Sequence, residues 1–128
     1  MNDLIGTENQ IAWARNIVNR TFAGGRNGPA VLAQAALLFA DSKFRRDGQA
    51  AAKLKEASAV SMSKESKVAA IARVNDSLGA AVLAGLPVQA AWWIDNVNPQ
   101  SGAVPTEDLG RYWVEANGVD ALCSIIRG

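Results

Sequence analysis

The chain offers little that could break or make a covalent bond. It contains no histidine, so the commonest general base and the commonest metal ligand are both missing. Its single cysteine, Cys123, sits in Leu122-Cys123-Ser124-Ile125 with no histidine to activate it, and reads as a small buried hydrophobe. Glu107 and Asp108 are adjacent carboxylates, but they fall where a helix begins, and there the macrodipole accounts for two anions. No group of residues carries metal-ligand spacing. Gly24-Gly25-Arg26-Asn27-Gly28 lacks the Lys-Ser/Thr ending of a phosphate loop and reads as a connection. The expectation is a non-enzymatic protein with no catalytic residue, no metal and no cofactor.

Binding chemistry is better represented. Residues 43–73 hold eight cations against three acids, whereas residues 95–120 hold five acids against one arginine. Lys43, Arg45, Arg46, Lys53, Lys55, Lys64 and Lys67 are therefore candidates for an acidic protein surface or a phosphate backbone. Helix-end charges and solvated faces explain the same residues without a partner. The second candidate is Trp92-Trp93-Ile94-Asp95. Successive helical residues point about 100° apart, so both rings cannot face one core layer equally. One is expected in the core against the first helix near Trp13. The other is expected either as a second core contact or as a partly exposed platform, a role that suits tryptophan because it gives much contact area for little entropy loss. Asp95 falls near a helix C-terminus, where an anion is disfavoured. It is expected to be held by a tryptophan N–H, by Arg15 or Arg20, or by a loop amide.

The elements that would position these residues are helices throughout. Thr7 and Gln10 form a capping box, opening a helix over 8–22 with Ile11, Trp13, Ala14, Ile17, Val18 and Phe22 on its apolar half. Trp13 is expected in the core, so Trp13→Ala is expected to cost ~3–5 kcal/mol. Pro29 opens a second helix with Val31, Leu32, Ala35, Leu38 and Phe39 as its stripe. A short helix over 49–59 and a mobile serine-rich loop over 58–66 follow. Ser63 is then expected to cap a helix reaching Ala84, buried through Val68, Ile71, Val74, Leu78 and Val82. Asn75 on that stripe needs a hydrogen-bond partner, and Gly79 would admit a neighbouring helix. Gly85 ends this helix and Pro87 opens the next. Thr106 caps another, which stops at Gly118 before a last short helix over 119–126. No segment alternates with period two, so the fold expected is all-α, a single compact bundle of about five to seven helices forming one domain over 1–128.

Composition agrees with that class. The 128 residues are 49% hydrophobic, with formal net charge +1, so no global field favours nucleic acid or membrane. No apolar run approaches the ~20 residues of a membrane span. The first residues lack the basic and apolar regions of a signal peptide, and one cysteine fits a reducing compartment. A cytoplasmic protein is expected, with no oligomeric state implied.

Two stretches carry a resemblance. Gly6-Thr7-Glu8-Asn9-Gln10-Ile11-Ala12-Trp13-Ala14 and Ala91-Trp92-Trp93-Ile94-Asp95-Asn96 resemble the two ends of small proteins borne by phages, prophages and plasmids. Those proteins begin with a Ser/Thr-Glu-Lys-Gln-Ile-Ala-Trp-Ala-Glu-type helix and end with a Trp-Trp-Ile-Asp-type helix. Asn9, Arg15 and Val97 depart from that pattern, standing where a lysine, an acid and an arginine are usual. The resemblance implies a bacterial or phage mobile-element origin and carries no activity. Two functions follow as expectations. One is a phage counter-defence inhibitor of the anti-CRISPR type, docking on a host protein complex. The alternative is a nucleic-acid-binding accessory protein using the basic 43–73 segment, which would lose affinity steeply with salt.

Overall fold

The computed structural model describes residues 3–44 and 46–128. Its elements are α1 (Glu8–Thr21), a 3-10 turn (Ala23–Gly25), α2 (Pro29–Phe44), α3 (Gly48–Lys64), α4 (Lys67–Ala84), α5 (Ala90–Asn96) and α6 (Thr106–Arg127). Among the described residues there are six α-helices and no strand, as the periodicity predicts.

The start of α1 follows its local chemistry. Gln10 N–H donates to the Thr7 hydroxyl, while the Gln10 side chain accepts from Thr7 N–H. Just upstream, Ile5 N–H donates to the Val88 carbonyl, and Ala90 N–H donates to the Ile5 carbonyl, both within 2.9 Å. This clasp holds the N-terminus beside the start of α5, and α1 packs on α5. It also explains why α5 begins at Ala90 and not at Pro87: residues 88–90 are engaged in the bridge. The buried residues of α1 are Ala14, Ile17 and Thr21. Trp13 is 55% exposed, which overturns its expected place in the core. Trp13 and Ala14 point about 100° apart, and it is the small residue that is fully buried.

Thr21 is an unforeseen core polar group. Its hydroxyl donates to the Ile17 carbonyl at 2.7 Å and accepts from Val104 N–H at 3.1 Å, tying α1 to the segment before α6. Thr21→Val keeps the shape and strands the Val104 N–H, so urea denaturation should show a loss of ~1–3 kcal/mol.

Helix α2 lies between α4 and α6 and touches both extensively. Leu32, Ala33, Ala36 and Ala40 are completely buried, while Val31 and Leu38, placed on the expected stripe, are half or more exposed. Gly79 faces Pro29 so closely that a Cβ there would stand 2.5 Å from the Pro29 carbonyl carbon, the close approach its position predicts. Asn75 has its partner: the Gln34 side-chain amide donates to it at 2.8 Å.

The expected short helix and serine loop are one continuous helix. Asp47 caps α3 by accepting from Gln49 and Ala50 N–H, and the helix runs through residues 58–64. Two of these serines have hydroxyl partners within the fold. Ser63 donates to the Val60 carbonyl, and buried Ser61 meets Glu65 and Arg73. The break falls at Glu65, and Ser66, not Ser63, caps α4 by accepting from Ala69 N–H. In α4, Val74, Leu78 and Val82 are buried as expected, whereas Val68 and Ile71 are exposed. Gly85 ends this helix as predicted.

Helix α6 is interrupted at Gly118, whose φ of 86° is non-helical. The expected stop is there, with the two helical pieces joined end to end. Thr106 is its first residue and not its cap; the hydroxyl donates to the Asn27 side chain at 2.6 Å. At the far end Arg73 donates to the Ile125 and Ile126 carbonyls while pairing with Glu65 at 2.7 Å, so a cation from α4 meets the last carbonyls of α6.

Candidate functional site

The two adjacent tryptophans divide as their spacing requires. Trp93 is fully buried, and its indole N–H donates to the Pro87 carbonyl at 2.9 Å. Trp92 is half-buried, edge-on to both Trp93 and Tyr112 with ring centroids 5.3 Å apart in each case. Neither is the most exposed indole; that is Trp13. Asp95 is exposed and makes no hydrogen bond or ion pair with another described residue, so the expected anchor is not found. The Trp93 N–H is already committed to Pro87, and the carboxylate faces outward.

Trp13 stands at a groove of about 550 Å³. Asn16 and Arg20 follow it along α1, and Ile94, Val97 and Pro99 close the opposite side. The loop over 97–104 holds its shape through paired backbone bonds between Asn98 and Ala103 and between Gly102 and Asn98, each 2.8 Å. Gly102 lies under Arg20, where a Cβ would come within 2.7 Å of the guanidinium. Arg20 forms no ion pair with another described residue. An indole wall, a guanidinium and an amide over an apolar floor suit contact with a protein surface, where tryptophan and arginine dominate binding energy. The α1 wheel carries the signal for this site: Trp13 lies at the edge of the apolar half, on the side of Asn16 and Arg20.

The cations are dispersed. Lys43 ends α2, its ammonium 6.0 Å from the Phe39 ring centre, and Arg46 is exposed beyond it; Arg45 lies outside the described residues. Lys53 and Lys55 are two apart in α3 and so about 200° apart around it. Lys53 pairs with Asp120 at 3.1 Å, where the basic middle meets the acidic third. Both partners are exposed, so the pair contributes little. Lys64 ends α3 and Lys67 begins α4. The structure therefore does not gather the six described cations into one stripe.

Two further depressions flank α2. A cleft of about 340 Å³ separates α3 from α2 and α4, and a larger groove of about 780 Å³ runs between α2 and α6. Burial pushes the Cys123 thiol above its ordinary range, which suppresses the nucleophilic thiolate. Among the described residues no three His, Cys, Asp or Glu side chains come together as a metal-binding group, and no helix is long and apolar enough to cross a membrane. No protein-family model, curated protein or solved structure matches the chain.

Proposed function

We propose that the protein is a non-enzymatic, mobile-element-borne inhibitor that acts in the cytoplasm by docking on a host protein complex, in the manner of a phage counter-defence protein of the anti-CRISPR type. The observation that carries the binding part of this reading is Trp13, a large indole 55% exposed beside an uncommitted Arg20. An exposed tryptophan on a well-capped helix forfeits burial in the monomer and regains it in an interface. The phage and plasmid origin rests on the resemblance of the α1 and α5 stretches, and both contribute to this groove, Trp13 from the first and Ile94 from the second.

The test is a pull-down of tagged protein from bacterial lysate, with and without nuclease, run in parallel with Trp13→Ala. The parent should retain a stoichiometric protein partner after nuclease. The variant should lose at least ~2 kcal/mol of that affinity, about 30-fold. Its unfolding free energy should fall by only ~1–2 kcal/mol, since about half of the side chain is already in water. Captured nucleic acid that disappears with nuclease, leaving no protein, would replace this reading with the nucleic-acid alternative. A partner held equally by Trp13→Ala would remove Trp13 from the site.

A further inference from the structure

We infer that the cleft between α2, α3 and α4 is a second docking site, shaped for one amphipathic helix with acidic flanks. It is separate from the Trp13 groove and does not depend on it.

The cleft exists because α3 packs chiefly on α6 and only lightly on α2 and α4. Leu37, Leu54, Val74 and Ile126 line the interior, and Met62 and Ile71 stand at its mouth, each 49% exposed. Among the described residues, Met62 and Ile71 are the strongly exposed large apolar side chains that line this cleft; Val31 and Leu38 face the groove between α2 and α6. The Gln34–Asn75 hydrogen bond spans one end of the cleft, and Asp41 and Lys67 line the other. Seven or eight residues of α2 and α4 separate those ends, roughly 10–12 Å at 1.5 Å per residue, the length of two turns of a docked helix. Anchors at i, i+3 or i+4, and i+7 fit such a groove, and a methionine at the mouth adapts to their shape.

Charge selects the occupant. Lys53 and Arg73 are committed to Asp120 and Glu65. Lys55, Lys64 and Lys67 have no ion-pair partner among the described residues. Lys55 lies about 60° around α3 from the cleft-lining Ser58, Lys67 lines the cleft itself, and Lys64 is the last residue of α3, three before Lys67 in the chain. Among the lining residues one cation, Lys67, faces one acid, Asp41. Lys55 and Lys64 on the bordering α3 add two cations without an ion pair, and this surplus favours acidic flanks on whatever enters. A second copy of this chain, packed face to face, would oppose lysine to lysine. A phosphate backbone would leave Met62 and Ile71 uncovered.

The test is fluorescence anisotropy on the full chain with a labelled, helix-stabilised probe of about 16 residues, leucine at i, i+4, i+7 and i+11 and glutamate on the remaining face. The comparisons are a probe of equal composition whose leucines share no face, and labelled single- and double-stranded DNA. The amphipathic probe should bind at least ~10-fold more tightly than the scrambled one, and Ile71→Glu should weaken it ~10-fold or more. Lys55→Glu with Lys67→Glu should weaken it several-fold and flatten its salt dependence, while Trp13→Ala should leave it unchanged. Ile71 and both lysines are solvent-facing, so unchanged melting curves will show that the variants remain folded. Equal binding of the two probes, no binding of either, preference for DNA, or a concentration-dependent dimer abolished by Ile71→Glu would each overturn the proposal.

Discussion

Trp93→Ala should lower stability by ~3–5 kcal/mol, a large part of the ~5–15 kcal/mol that a domain of this size possesses. Trp93 has no exposed surface and is the largest fully buried side chain of the protein. Its loss removes the edge contact that Trp92 makes while Trp92 leans on Tyr112, so the defect spreads from α5 to α6. It also strands the Pro87 carbonyl, which accepts the indole N–H in the turn between α4 and α5. Trp93→Phe separates these terms. It retains most of the apolar contact and orphans the carbonyl, for ~1–3 kcal/mol. Guanidinium denaturation of Trp93→Ala, Trp93→Phe and Trp13→Ala should rank them in that order of damage. A Trp93→Ala protein as stable as Trp13→Ala would mean that α5 is not packed as described.

That ranking reverses half of what the residue types suggest, and the reason is physical. Local chemistry reads well from sequence: the Thr7–Gln10 box, the Gly85 stop, the Gly118 break and the Gly79 approach each follow from a residue's own donors, acceptors or missing Cβ. Burial reads less well, because hydrophobicity ranks side chains by size and this fold buries its small ones. Ala33, Ala36, Ala40 and Ala57 are completely buried while Leu38 is 69% and Val68 79% exposed. Helices that approach closely have room for alanine between them, and longer side chains on the same turns must point elsewhere. The buried alanines of the middle segment mark the helix interfaces, while Ala52, Ala59, Ala69 and Ala72 face outward as ordinary helix formers. The same effect moves the candidate site: the doubled tryptophan of α5 contributes Trp93 to the core, and the most exposed indole lies on α1, where the neighbouring Ala14 takes the core position. The serine-rich stretch misled for a different reason. Serine competes with backbone hydrogen bonds when unpaired, but Ser61 donates to Glu65 at the end of its own helix and accepts from Arg73 of the next helix, a long-range partner that no local pattern announces.

The close approach around α2 makes a prediction whose sign is informative. Gly79 of α4 meets the Pro29 backbone at the start of α2, and Gly110 of α6 meets its middle; a Cβ at Gly110 would stand 2.5 Å from the Ala35 carbonyl carbon and 2.6 Å from the Ala36 nitrogen. Glycine inside a helix costs about 1 kcal/mol relative to alanine. If these glycines were only permissive, Gly79→Ala and Gly110→Ala would each stabilise by that amount. Both are expected to destabilise, by ~1–3 kcal/mol or more apiece, because the obstacle is backbone on a neighbouring helix and cannot rotate aside. Gly48→Ala supplies the control: it opens α3 and a Cβ there meets nothing within 4 Å, so its melting temperature should hold or rise. The double variant should do worse than either single change, since α2 would be pushed away from α4 and α6 together. Its unfolding should broaden as packing against α2 loosens before the helices melt. Thermal denaturation followed by circular dichroism reads all four proteins on one scale. A rise in melting temperature for Gly79→Ala or Gly110→Ala would show that α2 is not clasped between these two helices.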